Sequence, residues 1–147
     1  MTHLDLLGID LKSDVLNDLF ETYDADVVYR YDRTNENTAD EYTACVPELG
    51  LEFIFDSKRK LRTLFMANVV SEGCNPFEQD AQRLPKFSSK AEAVHYASTN
   101  AIQISQGCTD FLGEQRDWIK LEYTSHSVHY EFVDARLNMV TIQATNT

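Results

Sequence analysis

The chain of 147 residues lacks the short signatures that mark common enzyme classes. It has no G-x-S-x-G elbow, no H-E-x-x-H, no glycine-rich phosphate loop and no Walker lysine motif. It has only three cysteines, Cys45, Cys74 and Cys108. They are widely spaced and form no C-x-x-C, so neither a zinc site nor a thioredoxin-like motif is indicated. Free thiols suit a reducing compartment. No apolar run approaches the ~20 residues that span a bilayer. The start, MTHLDLLGIDLKSD, has no basic n-region and no continuous apolar stretch, so no signal peptide is expected and the expected location is cytoplasmic. Basic residues are scarce, 13 Lys and Arg against 24 Asp and Glu, for a formal charge of −11. Without a basic patch to displace counterions, nucleic-acid binding is not expected, and an anionic membrane would repel the chain. An acidic field suits a basic protein partner, because opposite fields steer encounter; the alternative is that the acidity only keeps the chain soluble.

What is present is ordinary globular composition, 43% hydrophobic with eight Phe, seven Tyr and one Trp. Ser13 offers a helix N-cap, Asp14 suits the first turn, and Val15, Leu16, Leu19, Phe20 and Tyr23 form the apolar stripe of a helix over residues 14–23. Residues 27–31, VVYRY, and 42–46 predict strands, separated by a polar loop at 32–41. Residues 50–67, GLEFIFDSKRKLRTLFMA, predict a hairpin with a basic turn. Residues 69–85 hold Gly73, Pro76 and Pro85 and read as a linker. Beyond it, Ser89 and Glu92 match a capping box for a helix carried on Ala91, Val94, Ala97 or Ser98, and Ala101. Residues 102–105 are read as the helix end followed by a strand-like segment. Residues 107–116 predict a second polar loop, 118–123 a strand, and 127–143 a second hairpin.

The two hairpins align, with Phe55 opposite Phe132 and Leu61 opposite Leu137, and the order of elements repeats. The expected fold is therefore α+β in a single domain over 1–147. It has one or two antiparallel sheets built from two pseudo-repeated α-β-β-β units, about 4–68 and 86–144, with one helix per half and a linker at 69–85.

Residues in recognisable chemical patterns are few. His126 and His129 resemble H-x-x-H, but residues three apart on a strand point to opposite faces and cannot readily share a metal. A histidine here is more often a partly buried, hydrogen-bonded side chain than a ligand. Lys58, Arg59, Lys60 and Arg62 form the one basic cluster, with the chain's own acids as expected partners. The loop at 32–41 lacks the D-x-D-x-D-G spacing of a calcium loop. It remains either a solvated loop or an acidic surface, and the tyrosines beside it favour the surface because tyrosine is enriched among interface anchors. The candidate partner-binding residues are Asp32, Glu36, Asp40, Glu41, Tyr42, Glu72, Glu78 and Asp80. No catalytic, metal-ligating or cofactor-binding residue is nominated, and no cofactor is expected.

The segments GLEFIFDSKRKLRTLFM and WIKLEYTSHSVHYEFVDARLNMVTI resemble the paired hairpins of small acidic bacterial immunity-type proteins. The resemblance covers both hairpins and, more loosely, the helices. It implies a cytoplasmic inhibitor, not an enzyme, that binds and blocks a cognate toxin domain, for example a basic nuclease. The motifs are structural, so the resemblance assigns no site residue. Two other readings stay open: a structural or adaptor module, dimeric through an exposed strand edge, and a small enzyme with a cleft between the halves using His129 or Cys108 with an acid. Oligomeric state is left as monomer or homodimer.

Overall fold

The computed structural model describes residues 3–31, 40–67 and 84–145. Its centre is one antiparallel sheet of eight strands in the order β1-β2-β3-β4-β8-β7-β6-β5. The strands are β1 (Val27–Arg30), β2 (Glu41–Val46), β3 (Leu51–Phe55), β4 (Leu61–Ala67), β5 (Gln103–Phe111), β6 (Glu114–Glu122), β7 (His126–Val133) and β8 (Arg136–Ala144). Each half contributes a four-stranded meander, and the halves join where β4 pairs with β8. The α+β class and the antiparallel sheet agree with the sequence. The count of three strands per half is corrected to four, and the expected linker at 69–85 falls almost wholly outside the described residues.

The helices follow their caps. Helix α1 (Asp14–Thr22) starts where the Ser13 hydroxyl accepts from the Leu16 amide at 3.4 Å. It buries Leu16 and Phe20, while Val15 is exposed and drops out of the expected stripe. Helix α2 (Lys90–Thr99) starts where Ser89 accepts from the Glu92 amide at 3.2 Å. Glu92 reaches back one residue further than a capping box requires, accepting from the Ser88 amide at 2.9 Å and its hydroxyl at 2.6 Å. Those bonds hold its carboxyl below the usual range. The buried pair of α2 is Ala93 and Ala97; Ala91 and Ala101 are exposed.

Both helices cover the same face of the sheet. Across the strands, Ala44, Phe53, Leu64, Ile142, Val128 and Leu121 stand in one row, all buried. Phe20 meets Phe53 edge-on at 5.2 Å, and Phe87 meets Tyr130 at 4.9 Å. The Tyr130 hydroxyl donates to the Pro85 carbonyl at 2.7 Å, and burial pushes its phenol pKa up. The leucine-rich start does not form a strand. His3–Leu6 is a 3-10 turn, after which the chain bridges to the β3–β4 turn through the pair Asp10 and Lys60.

The second polar loop expected at 107–116 is corrected to the hairpin β5–β6. Its two turn residues, Leu112 and Gly113, both have positive φ, 52° and 80°. Asp134 and Ala135, at 48° and 66°, turn β7 into β8 in the same way. Such two-residue turns match the twist of paired strands and normally announce themselves as Asn-Gly or Asp-Gly.

Candidate functional site

The other face of the sheet carries no helix among the described residues. Its centre is a hollow of about 420 Å³. Cross-strand register sets its floor and walls. Lys120, His129, Thr141 and Phe65 stand opposite one another in turn. The next row runs Ser127, Gln143, Thr63 and Ile54, and the row on the other side runs Trp118, Glu131 and Met139. Thr63 and Ser127 line the hollow and are buried, at 6% exposure each. Ile54, Phe65 and Met139 are half-buried, giving the hollow a partly apolar wall.

Two bulges shape this face. Between Ile54–Thr63 and Phe55–Leu61 the strand β4 carries one extra residue, Arg62. The guanidinium Nη2 of Arg62 donates to Glu41 at 3.1 Å, while its buried Nε finds no hydrogen-bond acceptor. Strand β8 carries its extra residue, Asn138, at the matching place between Glu131–Met139 and Phe132–Leu137. The Asn138 amide donates to Glu131 at 2.9 Å, and Arg116 donates to the same carboxylate at 3.1 Å. In each half a bulge residue therefore anchors a carboxylate on this face.

His129 lies flat against Trp118, ring centroids 5.4 Å apart. Burial lowers its pKa; Glu131 acts in the opposite direction and Lys120 adds to the lowering. His126 points to the helix-covered face, where it stacks on Tyr123 at 4.8 Å. The two histidines of the H-x-x-H stretch are thus on opposite sides, as the spacing requires. Cys108 pairs in register with Asp117 and Phe132, which places it on the helix-covered side, away from His129. Of the two residues considered for a cleft with an acid, His129 lines the hollow together with Glu131, and Cys108 does not. Among the described residues, no group of three His, Cys, Asp or Glu side chains is placed to hold a metal ion.

A second patch lies at the β1 edge. The Tyr29 ring stacks on Tyr42 at 4.9 Å and approaches Tyr31 at 5.9 Å. The Tyr29 hydroxyl donates to Asp40 at 2.7 Å, and this bond raises its pKa to about 12. Among the described residues, four of the six exposed large hydrophobic residues, Val27, Val28, Tyr29 and Tyr31, belong to this short segment.

The nominated acids separate accordingly. Asp40 and Tyr42 join Tyr29 on the helix side of the edge. Glu41 points to the bare face, where Arg62 neutralises it. Asp32, Glu36, Glu72, Glu78 and Asp80 lie outside the described residues. Two of the four residues of the basic cluster are paired with the chain's own acids, Lys60 with Asp10 at 3.3 Å and Arg62 with Glu41. Sequence reasoning missed the bare face, although the alternation of Thr63, Phe65 and Ala67 against Leu64 and Met66 carried its signal.

No family model, no curated protein and no solved structure matches this chain. No helix among the described residues is long and apolar enough to cross a membrane.

Proposed function

We propose that this chain is a binding protein that acts by occupying a partner, and more specifically an immunity-type inhibitor of a cognate basic toxin domain in the cytoplasm. The observation that carries the reading is the bare face of the sheet. A half-buried patch of Ile54, Phe65, Met139 and the Trp118–His129 stack, rimmed by charge, is the kind of surface that marks a protein–protein site. The formal charge of −11 selects a basic partner and speeds encounter with it. The acidic residues Asp32, Glu36, Asp40, Glu72, Glu78 and Asp80 contribute in this reading to the acidic field that steers a basic partner. The tyrosines beside Asp40 offer rigid anchors at the β1 edge, on the helix side of the sheet. The proposal includes no catalytic step and no cofactor.

The paired hairpins that carry the resemblance also support a repeated α-β-β-β-β unit in this reading. Both halves keep the same element order and place a bulge at the same step of the hairpin.

The test is co-expression with a basic toxin domain encoded beside this chain, read as growth and as complex formation at low salt. The expected result is protection by the native chain and loss of protection on Phe65→Asp or Met139→Asp. Charge reversal at Asp32, Glu36 and Asp40 should slow association while leaving the complex formed. A folded protein that neither protects nor forms a complex ends the inhibitor reading. Protection untouched by both bare-face substitutions ends the assignment of that face.

A further inference from the structure

The edge strand β1 carries an unusual pattern. Edge strands normally blunt their free backbone groups with lysine, proline or a bulge. Residues 26–30, DVVYR, have no lysine, proline or bulge, and carry charge only at their two ends, Asp26 and Arg30. All five residues are exposed, and Val28 is exposed at 52%. Strand β5, at the opposite end of the sheet, shows no exposed large apolar residue at its described side chains.

The segment is also self-complementary. In an antiparallel pair related by a two-fold axis, residue i faces residue j of the other copy, and j faces i. With the axis at Val28, Asp26 stands opposite the second copy's Arg30, and Arg30 opposite the second copy's Asp26. Val28 meets its own equivalent, and Val27 meets Tyr29. Alternation keeps Asp26, Val28 and Arg30 on the bare face, and Val27 and Tyr29 on the helix face. Opposite charges and a β-branched–aromatic pair are the cross-strand combinations that stabilise a ladder. Neither Asp26 nor Arg30 forms an ion pair among the described residues, since Glu41, the cross-strand neighbour of Arg30, is taken by Arg62.

Moving the axis one residue along the strand disrupts this match. At Tyr29 it places Arg30 against a valine. At Val27 it places Arg30 against Asp24, which sits at φ 52° in the turn after α1, outside the extended segment. The local charge matters because the chain as a whole is strongly acidic, so an association site must present a cation close to an acid. Arg30 is the only cation in this strand.

We infer that the protein forms a two-fold dimer by pairing β1 with β1 of a second copy, in the register that joins Asp26 to Arg30 twice. The sheet then runs continuously through sixteen strands, two sets of the eight described. The helices of both copies lie on one side and both bare faces lie on the other. The contact is short and falls among weak, concentration-dependent interfaces.

The test uses the full chain alone, so its outcome is independent of any toxin. Sedimentation velocity in 0.15 M salt, where a Debye length of about 8 Å screens the net repulsion, is run up to about 1 mM chain. The expected species has twice the 16.8 kDa mass of one chain. Val28→Lys, which sets two ammonium groups on the axis, should leave a monomer with unchanged circular dichroism. Arg30→Asp should weaken association at least about tenfold. The double swap Asp26→Arg with Arg30→Asp should restore it, because the pair is reversed and kept. A native chain that stays monomeric across the range overturns the inference. So does a dimer indifferent to Val28→Lys, or a double swap that fails to recover association while remaining folded.

Discussion

The two faces of the sheet are built from the same strands and differ in almost every chemical respect. On the helix-covered face, Phe53, Leu64, Ile142, Val128 and Leu121 are buried and packed against α1 and α2. On the bare face, one residue along each strand, Phe65, Thr141, His129 and Lys120 stand in register, in part exposed. The covered face holds the fold together through loss of apolar surface to water. The bare face adds hydroxyls, paired charges and the Trp118–His129 stack, which contribute less to stability.

That contrast breaks most sharply at two phenylalanines in adjacent strands. Phe53→Ala should cost about 3–5 kcal/mol in urea unfolding, as for a large side chain removed from a packed core. Phe65→Ala should cost less, about 1–2 kcal/mol, because its side chain is only partly buried. Equal losses would mean that something covers the second face.

Gly107 is the next test. A methyl group placed there would lie 2.8 Å from the Trp118 indole nitrogen. The absence of a side chain lets the indole lie across β5 while its ring stacks on His129. Gly107→Ala should destabilise by about 1–3 kcal/mol and alter the near-ultraviolet circular dichroism of the lone tryptophan. An unchanged aromatic spectrum would show that the indole has room to move.

Histidines on both faces should produce a graded response to acid. Burial lowers the pKa of His126 on one face, of His129 on the other, and of His3, which falls from 6.5 to about 4. Below pH 6.5 the unfolded chain takes up protons before the folded one does. Stability is therefore full above that value and declines as pH falls toward 4. His129→Gln should flatten the decline in urea midpoint; a slope identical to that of the native chain would remove His129 from the account.

The smallest effect is expected at the β7–β8 turn. Ala135 holds φ at 66°, where a Cβ is strained. Ala135→Gly should raise stability by about 0.5–1 kcal/mol after allowance for the more flexible unfolded chain. A decrease would show that the flexibility cost exceeds the relief of strain.

Much of the fold was legible in particular residues. Ser13 and Ser89 announced both helices, and the alternation through Leu51, Phe53 and Phe55 announced β3. The hairpin β5–β6 was not legible. Gly107, a breaker by composition, is a strand residue across which Trp118 lies, and Leu112-Gly113 makes the turn with a leucine where asparagine is usual. Of the nominated site, Asp40 and Tyr42 do come together, through Tyr29. Glu41 does not, because alternation turns it to the other face and Arg62 meets it there. Sequence proximity in a strand separates neighbours onto opposite faces.

The sequence by itself determined the elements that depend on local signals: the capped helices, the alternating strands and the acidity. Those properties arise within a few residues, or from composition. The tertiary structure decided how the halves join at β4–β8, which face both helices cover and which edge is left unmatched. Each of these depends on contacts between residues far apart in the chain. An alternating strand specifies that its two faces differ; only packing decides which neighbour each face receives.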